Sequence, residues 1–394
     1  MNGHLRFTLL TNTFLPHAGG SRVYYYNLFK RIASCGDPVT ILTGKLPGWQ
    51  EFDARQQTAE FKIKRRFTPL RDASYSQLPK IVGRLLTAGS DGLFRRPDII
   101  HCGDLYPEGL VGVMLKKTLG IPFIAYCHGE DITLVDQRRF QPRLRDFIYR
   151  TANAVIANGD FAIDNLLRIG IEREKIYKIT PGLDTSVFYP EDSDAKLRDH
   201  YGIGENDVVL MTVARLVQRK GHARIIRALA GLREDIPTFK YVIVGRGPME
   251  AELRALATEL NLLDKVVFAG FVPDDELNRH YNLADIVAMP NTEEAGDIEG
   301  FGMVFLEANA AGKPVIGGRS GGTSEAVVEG ESGFLVGGDD DRELDDVLRK
   351  LLTDRSLRES MGAAGLRRVR AEFDWDSRAA MLRKISYDVV AACR

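Results

Sequence analysis

Asp297-Ile298-Glu299-Gly300-Phe301-Gly302-Met303-Val304-Phe305-Leu306-Glu307-Ala308-Asn309-Ala310-Ala311-Gly312 is the stretch from which the rest of the chain can be read. Gly300 and Gly302 flank one aromatic just ahead of a helix-forming run, so the backbone N–H groups of Phe301, Gly302, Met303 and Val304 are expected to point out of a helix N-terminus. That is an anion site suited to a diphosphate. Glu299 lies before the helix and Glu307 one to two turns inside it. An ionised carboxylate only accepts hydrogen bonds, so one on each side of a phosphate cradle suits sugar or ribose hydroxyls. The bland alternative has Glu299 capping the helix and Glu307 exposed.

Working outward, Val213-Ala214-Arg215-Leu216-Val217-Gln218-Arg219-Lys220-Gly221 follows a strand-like run. Arg215 and Lys220, five apart on a strand-to-helix loop, can clamp the same diphosphate and neutralise the charge that builds on a departing nucleotide. Taken alone, such a loop is solvated surface more often than not. Val244-Gly245-Arg246-Gly247-Pro248 is half of a dinucleotide fingerprint, without its third glycine and in mid-domain, which speaks against a nicotinamide cofactor. Gly245 and Arg246 are expected to line a nucleotide pocket instead, with Val272, in Gly270-Phe271-Val272-Pro273, beside the base. Near the start, Leu15-Pro16-His17-Ala18-Gly19-Gly20-Ser21 ends a strand and opens a helix, so Gly19 and Gly20 offer a second backbone cradle. His128, at the end of Ala125-Tyr126-Cys127-His128-Gly129-Glu130-Asp131, is a candidate sugar contact.

The chain has 394 residues, too many for one hydrophobic core, so two domains of roughly 150 to 200 residues each are expected. Apolar runs alternate with amphipathic stretches, the signature of parallel β-α-β units. Strands are expected at 5–12, 39–43, 61–67, 98–102, 123–127, 154–157 and 176–180, and an amphipathic helix at 77–96. A polar, proline-bearing break at 181–194 separates these from strands at 208–214, 241–245, 266–269, 286–289, 315–317 and 334–336. Two doubly wound α/β halves result, and their ligands are expected at the strand carboxyl ends, in a cleft between domains.

Composition narrows the function classes. With 44% apolar and 27% charged residues and no run of about 20 apolar residues, the chain reads as soluble or peripheral. No secretory signal opens it, so it is expected to be cytoplasmic. The four cysteines are scattered and no His or Cys cluster has ligand spacing, which suggests neither zinc nor disulfides. The net charge of −1 hides an asymmetry: residues 1–190 hold 26 Lys and Arg against 18 Asp and Glu, and the remainder 27 against 36. A basic first half, concentrated at 62–66 and from Arg138-Arg139 through Arg145, suggests an anionic acceptor or a peripheral contact with an anionic membrane. Solvated faces are the plain alternative. No nucleic-acid motif accompanies the charge.

Together these motifs resemble glycosyltransferase family 4, also called group 1, whose fold is GT-B: two Rossmann-like doubly wound domains. The resemblance rests on Gly19-Gly20, His128-Gly129, Arg215 with Arg219-Lys220-Gly221, Glu299 to Glu307, the run from Gly317 to Glu325, and Phe373-Asp374-Trp375. It implies an acceptor domain at 1–185, completed by a returning helix at 375–394, and a nucleotide-sugar domain at 186–374. It further implies that Arg215 and Lys220 bind the donor diphosphate, Glu307 the ribose, Glu299 the transferred sugar and His128 the same sugar. The family retains anomeric configuration, usually without a metal, and no Asp-x-Asp motif lies near the phosphate site here. The nucleotide sugar is then a co-substrate and no cofactor is expected.

The context of Glu299 and of Ser320-Gly321-Gly322 is similar to that of bacterial mannosyltransferases that use GDP-mannose on lipid-linked or glycan acceptors. UDP-glucose or UDP-N-acetylglucosamine remains the alternative donor. The opening stretch Arg22-Val23-Tyr24-Tyr25-Tyr26 is more aromatic than the family leads one to expect, where acceptors bind. A sugar-nucleotide epimerase would need paired acid and base residues that are not evident, and a non-catalytic binding module would lack the charged residues that are present.

Overall fold

The structure is a computed structural model and describes residues 3–16, 19–70, 83, 96–136, 141–338 and 341–394. Arg138, Arg139, His17 with Ala18, and nearly all of the expected helix at 77–96 lie outside those residues.

The first unit comprises Met1–Gly182 and Trp375–Arg394. Its sheet has seven parallel strands: β1 (Phe7–Leu10), β2 (Val39–Gly44), β3 (Phe61–Phe67), β4 (Ile99–Cys102), β5 (Phe123–Cys127), β6 (Ala154–Ala157) and β7 (Ile176–Lys178). The order is β3-β2-β1-β4-β5-β6-β7. Helices cover both faces of such a sheet, so its central strands read as continuous apolar runs. Ile-Ile-His-Cys in β4, Phe-Ile-Ala-Tyr-Cys in β5 and Ala-Val-Ile-Ala in β6 are buried at every position.

The last helix, Trp375–Ala392, packs in this unit against the first, Gly20–Ser34. Tyr24 meets the Trp375 ring edge-on at 5.9 Å. Arg31 Nε pairs with Asp376 at 2.7 Å, and buried Asp37 takes Arg383 Nε at 2.5 Å and the Tyr387 hydroxyl at 2.6 Å. Asp37 thus enters the interior with both carboxylate oxygens satisfied.

The second unit, Leu183–Asp374, holds six parallel strands. They are β8 (Val208–Val213), β9 (Phe239–Val244), β10 (Val266–Gly270), β11 (Ile286–Met289), β12 (Val315–Gly318) and β13 (Gly333–Val336). The order β10-β9-β8-β11-β12-β13 repeats that of the first sheet. One core, built on Ile225, Tyr241, Leu253 and Leu348, lies on one side of this sheet; Val242, Met289, Phe305 and Phe373 belong to the other. Each sheet reverses its strand order beside its first strand, so loops after β1 and β4, and after β8 and β11, face a switch-point crevice.

The two doubly wound sheets match the expected fold, with every expected strand present. Two of the basic segments do not present their charge outward as a whole. Arg65 points inward from β3 and grips Asp53 through Nε at 2.9 Å and Nη2 at 2.8 Å, both side chains being buried. Arg145 is also buried, donating to the Ile132 carbonyl at 3.2 Å. In β3, period-two alternation sends every second side chain inside, Arg65 included, whereas Arg145 lies on the helix Gln141–Thr151.

Candidate active site

In the second unit the chain leaves β8 through one tight turn, Gln218–Lys220, and enters the helix His222–Leu232. Gly221 closes the turn at φ +78°, and a Cβ there would lie 2.5 Å from the Pro290 carbonyl oxygen. Only glycine lets the loops after β8 and β11 touch backbone to backbone. Thr292 N–H donates to the Arg219 carbonyl across the same contact at 2.8 Å. The turn carries Arg219 and Lys220 inward, to 6% and 8% exposure.

Both cations converge on Glu299. Lys220 Nζ and Arg219 Nη1 share its Oε2, the guanidinium at 3.1 Å, and Arg219 Nε lies 2.9 Å from Asp297 Oδ1. Burial pushes the Glu299 carboxyl upward, but Lys220 and Arg219 outweigh it and hold it below its ordinary range. Burial in turn lowers Lys220 against the pull of Glu299. Glu299 is therefore an ionised acceptor on a loop, and it does not cap the helix as the bland alternative would have it. Arg215, expected to share the clamp, has an exposed side chain close enough to Lys220 to disfavour its charge. Arg219, which the sequence reading did not single out, is the second cation on Glu299.

Gly321 and Gly322 support Glu299 from below. Gly321 sits at φ +59° and a Cβ on it would be 2.2 Å from the Glu299 carbonyl oxygen, which accepts the Gly322 N–H at 2.9 Å. Asn291, fully buried, joins the loops after β11 and β12: its amide donates to Thr323 Oγ1 and its carbonyl oxygen accepts from Gly318 N–H, each at 3.0 Å.

Glu307 is the fifth residue of the helix Met303–Ala310. Its Oε2 accepts the Tyr281 hydroxyl at 2.6 Å, and burial pushes its carboxyl up to about 7. Tyr281 comes from the helix Leu277–Leu283, and nothing in the sequence linked it to Glu307. At the helix start, the Phe301 ring is buried edge-on to Phe373, 6.1 Å away, so Phe301 offers a ligand its backbone, while Met303 and Val304 are partly exposed. Val272 is likewise a core side chain. Gly245 N–H is engaged by the Gly270 carbonyl at 2.7 Å, and Arg246 is exposed while its carbonyl accepts Leu216 N–H at 3.1 Å.

In the first unit His128 follows β5. Its backbone N–H donates to Asp131 Oδ2 at 2.7 Å, and its Nε2 lies 2.7 Å from the Tyr25 hydroxyl. Burial lowers the imidazole to about 4 and raises Asp131 to about 6. Asp104, after β4, accepts Thr11 Oγ1 at 2.8 Å and Asn12 N–H at 2.7 Å. Gly19 precedes the first helix and Gly20 begins it, with open space where a Gly20 side chain would be. The aromatic opening stretch is largely interior: Tyr24 and Tyr25 are each 1% exposed, and the Tyr24 hydroxyl donates to the Ile179 carbonyl at 2.8 Å. These rings fill the core behind His128 instead of forming an acceptor surface.

Comparison with known proteins gives the arrangement a lineage. The sequence profile of glycosyl transferases group 1 matches residues 193–368, and that of Glycosyltransferase Family 4 matches residues 18–187. A Corynebacterium glutamicum protein, the GDP-mannose-dependent monoacylated alpha-(1-6)-phosphatidylinositol monomannoside mannosyltransferase, is 38% identical over 95% of this chain and 96% of its own. The GDP-mannose-dependent alpha-(1-6)-phosphatidylinositol monomannoside mannosyltransferase of Mycolicibacterium smegmatis is 30% identical over 96% and 97%. The D-inositol 3-phosphate glycosyltransferase of Corynebacterium jeikeium is 31% identical over 93% and 91%. Among solved structures, Anabaena Alr3699/HepE in complex with UDP and glucose superposes with a TM-score of 0.80 at 22% identity, covering 98% of this chain and 100% of that one, which shows the shared fold.

Proposed function

The chain belongs to the group 1, family 4 glycosyltransferases and uses a nucleotide sugar, and on that premise we propose that it moves mannose from GDP-mannose to an inositol-bearing, lipid-linked acceptor with retention of configuration. The observation that carries the reading is the pairing of Glu299 and Glu307 on either side of one helix N-terminus, with Lys220 and Arg219 buried beside Glu299. The relatives' names supply the donor, GDP-mannose, and an acceptor built on inositol.

In this reading the backbone N–H groups from Phe301 to Val304 cradle the donor phosphates, Glu307 accepts from the ribose hydroxyls and Glu299 from the sugar. Lys220 turns from Glu299 to the diphosphate, joined by Arg215, and the two offset the charge that grows on the leaving group. Gly245, Arg246 and Val272 border the base, His128 meets the sugar, and Gly19 with Gly20 lies near the phosphate or acceptor. The leaving phosphate oxygen takes the acceptor's proton, so no protein nucleophile and no metal is assigned. The basic first unit docks on anionic lipid; among the described residues no helix is long and apolar enough to cross a membrane.

Thermal unfolding in excess GDP, UDP, ADP and their sugar conjugates tests the donor, since a ligand at 100 times its Kd stabilises by about 2.7 kcal/mol. A shift confined to GDP and GDP-mannose is expected. A UDP-selective shift would replace mannosyl by glucosyl or N-acetylglucosaminyl transfer, and no shift with any nucleotide would remove the donor site.

A further inference from the structure

The Tyr25 hydroxyl sits between two partners, the Gly103 carbonyl oxygen at 2.5 Å and His128 Nε2 at 2.7 Å. A carbonyl oxygen only accepts, and a phenol has one proton to give. That proton goes to Gly103, so toward His128 the phenol oxygen can only accept. We propose that Tyr25 is a positioning residue that fixes His128 as its Nε2–H tautomer and leaves Nδ1 as a bare acceptor for a hydroxyl of the transferred sugar. The sugar contact rests on the glycosyl-transfer reading above; the tautomer does not.

Several features keep the arrangement from relaxing. The His128 ring stands edge-on to Tyr24 and to Tyr25, each at 5.6 Å, and stacks on Tyr126 at 6.5 Å, so turning the ring over would disturb three packed aromatics. The imidazole is neutral at pH 7, because burial lowers it to about 4 even with Asp104 pulling the other way. A neutral imidazole has one donor and one acceptor, and which is which follows from the bond the other nitrogen makes. Among the described residues no hydrogen bond engages Nδ1. A site so wired recognises a hydroxyl by the proton it gives, and it gains nothing from a group that can only accept.

Two measurements test this. Long-range nitrogen–proton correlation on histidine-15N-labelled protein, with His128→Asn to identify its signals, is expected to show the neutral Nε2–H pattern at pH 7 and its loss to a mixture in Tyr25→Phe. An Nδ1–H pattern in the wild type, or an unchanged tautomer in Tyr25→Phe, would overturn the assignment whether or not the protein transfers sugar. The second uses GDP-mannose with each sugar hydroxyl singly replaced by hydrogen or by fluorine. At one position both replacements should lower kcat/KM by about tenfold or more, equally, because fluorine cannot donate. Tyr25→Phe should lower kcat/KM for GDP-mannose while leaving these two analogues nearly unaffected. A fluorine that restores activity at that position, or a Tyr25→Phe loss that is uniform across all donors, would mean that Nδ1 is not the acceptor.

Discussion

Replacing Glu307 by glutamine should stabilise the second unit at neutral and alkaline pH while weakening donor binding. The buried carboxyl is pushed from its ordinary 4.5 up to about 7, with burial as the main cause and Asp274 adding to it while the Tyr281 hydroxyl opposes. A carboxyl raised on folding holds its proton more tightly in the native state than in the unfolded chain. Below pH 4.5 both states are protonated and nothing is lost. As pH climbs from 4.5 to 7 the unfolded chain ionises first, and native stability falls relative to it by about 1.4 kcal/mol per pH unit. The loss comes to about 3 kcal/mol and levels off above pH 7. Glutamine keeps an oxygen for the Tyr281 hydroxyl and has no proton to lose, so the variant escapes the penalty. Calorimetry from pH 4.5 to 8 is the assay. Tryptophan fluorescence serves as the control, because Trp49 and Trp375 both lie in the first unit. The reasoning fails if Glu307→Gln is less stable than wild type at pH 8, or if its advantage does not shrink towards pH 5. Donor affinity at pH 8, where the carboxyl is ionised, should move the opposite way, falling about tenfold or more as a charge-assisted bond to ribose becomes a neutral one.

Lys220→Ala should lower turnover by about two orders of magnitude or more, the loss typical of removing one preorganised donor from a developing negative charge, and unchanged kcat in a steady-state assay would remove that role from Lys220. The protein should co-sediment with anionic vesicles at low salt and release as ionic strength rises; binding indifferent to salt, or none at low salt, would refute docking through the basic first unit.

How much was legible in the sequence depended on how local each feature is. All thirteen strands could be read because parallel strands covered on both faces are short, uniformly apolar runs between turn residues, as in Phe123–Cys127 and Ile286–Met289. Glu299 and Glu307 stand out in the sequence because one loop and one helix carry both, and both side chains prove to be withdrawn from solvent. What joins them to the rest could not be read. Lys220 reaches Glu299, Tyr281 reaches Glu307 and Tyr25 reaches His128 across separations that only the sheet's crossovers close. The buried contact of Arg219 with Glu299 was not legible either, because the Gln218–Lys220 turn carries that side chain inward and spacing along the chain does not reveal it. Tyr24 and Tyr25 drew notice as an aromatic excess, yet their interior places depend on residues far away in sequence, Trp375 for Tyr24 and Gly103 for Tyr25.

The first unit is discontinuous: its last helix begins at Trp375, after the whole of the second unit. Ribosomes deliver chains from the amino end, so the segment up to Gly182 emerges with the face of its first helix uncovered. At about 5–20 residues per second the missing piece arrives roughly ten seconds or more later. Over that interval Tyr24 lacks its tryptophan and Asp37 its arginine and tyrosine, while Leu183–Asp374 is already complete. The half that appears first is therefore the last to be covered, by the helix that begins at Trp375. A messenger cut short at Asp374 would still encode the entire Glu299–Lys220 and Glu307–Tyr281 network, yet leave Tyr24 without Trp375 and Asp37 without Arg383 and Tyr387.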